Sequence, residues 1–183
     1  MQLYNKLSAN ERAILIEKAG NRRITLSFYK YHQIKNTSLF RDHLYLMWEK
    51  LDVLGRIYIA SEGINAQLSM PSQNLNEFKT KLDSIDFLKE IRLNVAVEQD
   101  DFSFLKLKVK IRNKIVADGL SENSFDLSNN GTHVNASEFN TLIENPNTLL
   151  VDMRNHYESE IGHFDGAILP DVDSFRESLP IIE

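Results

Sequence analysis

The sequence predicts an α+β sandwich, a sheet carrying two helices on one face, followed by a smaller, acidic unit. Three observations carry this expectation. Apolar and polar residues alternate in several short runs, and between them two stretches repeat their apolar residues every three or four positions. The periods switch in the order strand, helix, strand, strand, helix, strand, with one strand to spare. Charge then changes sign along the chain: residues 1–118 hold 19 Lys and Arg against 14 Asp and Glu, whereas residues 119–183 hold 2 against 12. Such asymmetry points to two units with different partners, the first suited to a polyanion.

Residues 4–20 read as a leading helix, with Ser8 or Asn10 as N-cap and Gly20 as stop. Ile24–Tyr31 alternates and is rich in β-branched and aromatic residues, so it reads as a strand. In Ser38–Leu54 the residues Phe40, Leu44, Met47, Trp48 and Leu51 make one helical face, with Gly55 as its expected end. Arg56–Ala60 and Ile64–Met70 read as strands around a Ser61-Glu62-Gly63 turn. A second helix is expected from Pro71-Ser72 to Ile85, with Leu75, Phe78, Leu82 and Ile85 inward. Ile91–Val97 is a further strand, and Asp100-Asp101 turns the chain.

Ser103–Arg112 is the clearest strand in the sequence. Leu105, Leu107, Val109 and Ile111 alternate with Lys106, Lys108, Lys110 and Arg112, one face apolar and the other cationic. The whole order matches the ferredoxin-like, split β-α-β type. The expected organisation is a leading helix at 1–20, a ferredoxin-like domain at 21–118, a Ser- and Asn-rich linker at 119–132 and a second unit at 133–183. That unit begins with a helix from Asn135 or Ala136 to Glu144, broken at Asn145-Pro146-Asn147. A buried strand, Leu149–Val151, follows. A last helix starts near Asp173 or Ser174, and Pro180 should end or kink it.

Composition excludes several classes of function. The hydrophobic fraction is 42% and the charged fraction 26%, ordinary for a soluble domain. No apolar run approaches the roughly 18 residues of a membrane span. The N-terminus lacks the order of a signal peptide, so the chain reads as cytoplasmic and not bound to a membrane. With no cysteine there is no disulfide, thiolate metal site or cysteine nucleophile in the chain. Neither a G-x-S-x-G elbow nor a phosphate-binding G-x-x-x-x-G-K loop occurs.

The cationic strand is the first candidate site. Lys106, Lys108, Lys110 and Arg112 stand roughly 6.5–7 Å apart along one face, with Lys114 just beyond. That spacing can follow a nucleic-acid backbone, and Tyr29, Tyr31 and Tyr58 are candidates for stacking bases on the same sheet. On the pattern alone, a solvated face whose lysines prevent edge pairing is the favoured reading. In the segment 62–67, Glu62, Asn65 and Gln67 can bond either a base or a hairpin turn. His156 and Glu160 stand at helical spacing with His163 nearby, a weak metal pattern, and His163 reads better as a structural hydrogen-bonding group. Asp152 and Arg154 read as a fixed pair shaping the loop after a strand.

The run Leu149–Pro170 resembles the first half of a rhodanese-like domain: an apolar strand, Asp152-x-Arg154, Gly162-His163, Gly166-Ala167 and a proline. Joined to SFYKY at Ser27–Tyr31, GRIYIASEGINAQLS at Gly55–Ser69 and KIVADG at Lys114–Gly119, it resembles the rhodanese-domain-containing tRNA uridine hydroxylase family. The resemblance implies an acylphosphatase-like, ferredoxin-like α+β domain, then an α/β rhodanese-like domain of which this sequence holds the first half. It implies oxygen-dependent conversion of the wobble uridine of tRNA to 5-hydroxyuridine, with tRNA as partner, molecular oxygen as co-substrate and no other cofactor evident. It gives Asp152, Arg154, Gly162 and His163 structural roles. The family's functional cysteine loop has no counterpart here, so no catalytic residue carries over. A cut or proteolysed form lacking activity is the expectation. A rhodanese-type sulfurtransferase or a non-catalytic binding module is the alternative.

Overall fold

β1 (Arg23–Tyr31) is an interior strand of the first unit's sheet, since neighbours pair with it along both edges. The computed structural model describes residues 3–20, 22–115, 131–173 and 175–182, and the chain divides into two units, Met1–Val116 and Ala117–Glu183. All but two residues of the expected linker at 119–132 lie outside the described residues.

In the first unit α1 (Ala9–Ala19) precedes β1, and α2 (Thr37–Glu49), β2 (Leu54–Ala60), β3 (Gly63–Pro71), α3 (Leu75–Asp83), β4 (Asn94–Val95) and β5 (Leu107–Ile111) follow. The sheet order is β4-β1-β3-β2-β5. The first four strands pair antiparallel, and β5 adds parallel to β2. This is the expected α+β arrangement, with the spare strand at an edge.

One face of the sheet makes the core. Leu26, Phe28, Ile57, Ile59, Ile64, Ala66, Leu68, Met70, Leu107 and Val109 join Leu44 and Trp48 of α2 and Phe78 and Leu82 of α3 in a single buried cluster. Trp48 meets Phe28 edge-on at 6.3 Å and Phe78 at 5.6 Å. Both helices therefore cover the same face. Ser8 caps α1 in a reciprocal capping box with Glu11, and Gly20 ends it in the left-handed conformation.

Several boundaries differ from the sequence expectation. α2 ends at Glu49, not at Leu54. The chain turns through Asp52 at φ 52°, which buries Leu51 and Val53 in the turn and so preserves the apolar spacing that imitates a longer helix. Gly55 stops no helix. It sits inside β2, where a Cβ would come within 2.5 Å of the Gln67 carbonyl oxygen, so the close approach of β3 requires glycine. The second helix opens with a 3₁₀ turn at Ser72–Asn74 before α3 begins. β4 keeps only two of the expected residues.

β5 is Leu107–Ile111 rather than Ser103–Arg112. Since β4 and β5 lie at opposite edges, the chain between them has to cross the end of the sheet, and residues 96–106 are used in that crossing. The outer edge of β5 is held by a residue with no sequence signal. The Asn5 amide donates to the Leu107 carbonyl at 2.9 Å and accepts from the Leu107 N–H at 2.8 Å, as a strand neighbour would.

The second unit contains α4 (Ala136–Ile143), α5 (His156–Ile161) and α6 (Phe175–Ile182). Asn135 caps α4 in a capping box with Glu138. Leu149–Val151 is not the buried strand expected. Leu149 is 80% exposed, and the segment makes one isolated parallel bridge, Val151 to Ile168. The bridge is made by two hydrogen bonds: the Ile168 N–H donates to the Leu150 carbonyl at 2.8 Å, and the Asp152 N–H to the Ile168 carbonyl at 2.9 Å. Pro180 does not end α6, which continues to Ile182. Proline removes one donor from the helical ladder, the bond that residue 180 would make to the Arg176 carbonyl.

Candidate nucleic-acid interface

The face of the sheet away from α2 and α3 carries the polar residues of each strand. Register places them in rows. One row runs Asn94, Ser27, Gln67, Arg56, Lys108; the next runs Tyr29, Asn65, Tyr58, Lys110. Neighbours within a row stand about 5 Å apart and successive rows about 7 Å apart. Neither row contains a carboxylate.

Both ends of this face are closed. At one end the crossing segment is tied down: the Thr25 N–H donates to Gln99 Oε1 at 2.6 Å and the Arg23 N–H to Asp101 Oδ1 at 2.7 Å. Leu54 and Ser69, which share a row with Thr25, are buried there. At the other end the chain beyond β5 folds back. Ile115 donates its N–H to Glu62 Oε1 at 2.8 Å and accepts from Asn65 Nδ2 at 3.2 Å. Ile115 and Ala60 are buried at that end. Glu62 and Asn65, read in the sequence as base-bonding or turn-bonding groups, thus both grip this returning strap. Gly63 sits in the tight corner between β2 and β3 at φ 151°, where a Cβ would clash with the Lys30 carbonyl at 2.1 Å.

The candidate cations separate by position. Lys108 and Lys110 lie within β5 and are exposed, and Lys106 and Arg112 flank it. Lys114 lies on the strap, so the five do not form one straight line. Arg112 places its guanidinium 5.3 Å from the centre of the Tyr58 ring, a cation–π contact. Tyr29 and Tyr31 meet edge to face at 6.3 Å. Two residues that the sequence motifs did not single out as ligands stand between these groups, Arg56 and Ser27. Alternation within RIYIA already places Arg56 on the face of Tyr58, and that signal was available in the sequence.

The Asp152–Arg154 pair forms a second site within the second unit. Arg154 Nε bonds Asp152 Oδ1 at 2.9 Å and Nη2 bonds Asp152 Oδ2 at 2.6 Å; Nη2 also reaches the Gly162 carbonyl at 2.6 Å. These hydrogen bonds to Arg154 hold the Asp152 carboxyl down at about 2. His163 Nδ1 lies 2.9 Å from the Ser159 carbonyl. Asp152, Arg154, Gly162 and His163 line a cleft of about 580 Å³ together with Phe139 and Phe164. His156 meets Glu160 through Nε2 and Asp171 through Nδ1, both at 3.2 Å. The two carboxylates face different ring nitrogens, and among the described residues no group of three or more metal-ligating side chains gathers.

A family described as the UPF0176 acylphosphatase-like domain matches residues 23–115, the sheet and its two helices. Similarity to curated proteins extends further along the chain. A tRNA uridine(34) hydroxylase of Leptospira interrogans is 56% identical over 180 residues, covering 98% of this chain and 48% of its own length. The tRNA uridine(34) hydroxylase of Photorhabdus laumondii is 46% identical over 181 residues, covering 98% and 51%. That of Yersinia pestis is 47% identical over 180 residues, with the same coverage of 98% and 51%. The chain spans about half the length of the curated relatives it matches.

Proposed function

The chain belongs to the family of the UPF0176 acylphosphatase-like domain, and from that premise we propose that it forms the tRNA-handling half of a tRNA uridine(34) hydroxylase. The observation that supports this best is the 56% identity over 98% of the chain to a protein of that name. The reaction replaces C5–H of the wobble uridine by C5–OH, giving 5-hydroxyuridine. One oxygen atom comes from molecular oxygen, and the other leaves as water at the expense of a two-electron donor.

On this reading the two-row face of the sheet meets tRNA, with Lys108, Lys110 and Arg112 toward phosphate and Tyr29 toward a base. Lys106 and Lys114 extend the positive charge at either end. The second unit is the opening part of a rhodanese-like domain. Its Asp152–Arg154 pair, anchored to the Gly162 carbonyl, holds a loop in shape rather than performing chemistry. Since no cysteine is present, this chain has no thiol of its own to offer the reaction, and it does not hydroxylate by itself.

Nucleoside analysis by mass spectrometry tests both statements. Unmodified tRNA is incubated with the 183-residue chain and, separately, with the Leptospira relative. The expected result is 5-hydroxyuridine from the relative alone. Product from this chain would overturn the need for a thiol.

A further inference from the structure

We propose that the two rows of the sheet face seat a single unpaired nucleotide of RNA, with Tyr29 stacking its base, Gln67 bonding the edge of that base and Arg56 its phosphate. The inference rests on the proposed function and gives the tRNA contact a location and a form.

The dimensions come from the ends of the face. The crossing segment closes one end at Thr25 and Ser69, and the strap at Ile115 closes the other at Asn65 and Ala60. The row of Gln67, Arg56 and Lys108 remains open, and of the next row Tyr29 and Lys110 remain exposed, about 7 Å from it. That is close to the phosphate spacing of one nucleotide along a single strand, so in the strand direction the floor has the length of one nucleotide.

The chemistry comes from what the other groups leave free. Tyr58 already carries the Arg112 guanidinium over its ring, and Asn65 already donates to Ile115. Tyr29 is 53% exposed, and its ring rests edge-on against Tyr31 at 79°. An exposed ring with such a contact loses less freedom than a free one when a base stacks on it. Gln67 stands one strand over and one row down, a diagonal neighbour about 7–8 Å away. It is exposed, and its amide makes no hydrogen bond to any described residue. One amide can donate to a base carbonyl while accepting from a ring N–H, which complements the O4 and N3–H edge of uracil. Arg56 and Lys108 continue the Gln67 row toward β5, so phosphate has a cationic place at the side away from Tyr29. With no carboxylate in either row, the charge of this floor suits RNA. A paired A-form helix presents no free base face, so the seat selects an unpaired nucleotide.

Fluorescence anisotropy on the 183-residue chain tests the seat, using a labelled anticodon stem-loop RNA with uridine at the wobble position. Tyr29→Ala should weaken binding about tenfold while Tyr29→Phe, which keeps the ring, binds as the parent does. Gln67→Ala should weaken it about fivefold. A fully paired RNA duplex of equal length should bind at least about tenfold more weakly than the stem-loop. Both positions are exposed, and a thermal melt of each variant checks that the fold is kept. The proposal is overturned if Tyr29→Ala and Gln67→Ala bind like the parent, if the duplex binds as well as the loop, or if an acidic peptide binds this face and the RNA does not. Loss of the hydroxylation reading would show separately, as absence of 5-hydroxyuridine from the longer relative.

Discussion

The Arg23 guanidinium, whose side chain is 2% exposed, is joined to the carboxylate of Asp52 at 2.8 Å. Its other donors reach the Asp52 carbonyl at 2.5 Å and the Ser69 carbonyl at 3.0 Å. Arg12 of α1 holds the second carboxylate oxygen at 2.8 Å. One aspartate thus ties the leading helix, the start of β1 and the turn after α2. Burial pulls the Arg23 pKa down and Asp52 pulls it back up, so the carboxylate is what keeps a buried cation tolerable.

Replacing that carboxylate should destabilise the first unit. Asp52→Asn keeps a residue that accepts the left-handed backbone at φ 52°, but removes the charge and turns one of the two acceptor oxygens into a donor facing an arginine. It should cost about 2–3 kcal/mol. Asp52→Ala should cost about 1 kcal/mol more, since alanine resists that backbone conformation. Urea unfolding of both variants separates the two contributions, and equal losses would show that the backbone at 52 is unstrained.

Asn5 protects the free edge of β5 through its two bonds to Leu107. Asn5→Ala should cost about 1 kcal/mol and leave a strand edge open to other chains. Light scattering at rising concentration should show self-association by the variant before the parent. Matching curves would mean that another group shields the edge.

The basic row should act through phosphate. Replacing Lys108 and Lys110 with alanine should weaken binding to every tRNA alike. It should also flatten the dependence of log affinity on log salt by about 1.4–1.8, from about 0.7–0.9 for each lost contact. Selective loss for one tRNA would instead assign these lysines to base contacts.

Asp152 should titrate far below an ordinary carboxyl. Its pKa in the folded chain is about 2, against 3.8 without the fold. The carboxylate therefore supports the loop fully above 3.8, and that support is lost as pH falls through about 2. Carboxyl NMR should place the midpoint near 2 in the parent. Arg154→Ala should return it to the usual range, because the hydrogen bonds from Arg154 are the leading cause of the shift.

Period and capping in the sequence determined much of the architecture. Alternation in Ile24–Tyr31 and in Leu107–Ile111, and helical spacing of Leu44 and Trp48 and of Phe78 and Leu82, each depend on local geometry. Each of those elements forms at the stretch its pattern marks, with ends that differ from the pattern's. The capping boxes at Ser8 and Asn135 are local for the same reason. The Asp152–Arg154 pair also needed only two residues of separation.

What tertiary structure alone decided are the contacts made at long range. Whether Leu51 ends a helix or fills a turn, and whether Gly55 stops a helix or lets β3 approach, depends on a strand more than ten residues away. The cationic strand was shortened because β4 and β5 lie at opposite edges of one sheet, a fact no local period encodes. The same holds for the candidate interface. Lysines and tyrosines could be named from alternation, but only register puts Gln67 between Ser27 and Arg56 and one diagonal from Tyr29. Pairing between distant strands sets that register, and the strap at Ile115 then leaves the Gln67 row open and Tyr29 and Lys110 exposed beside it.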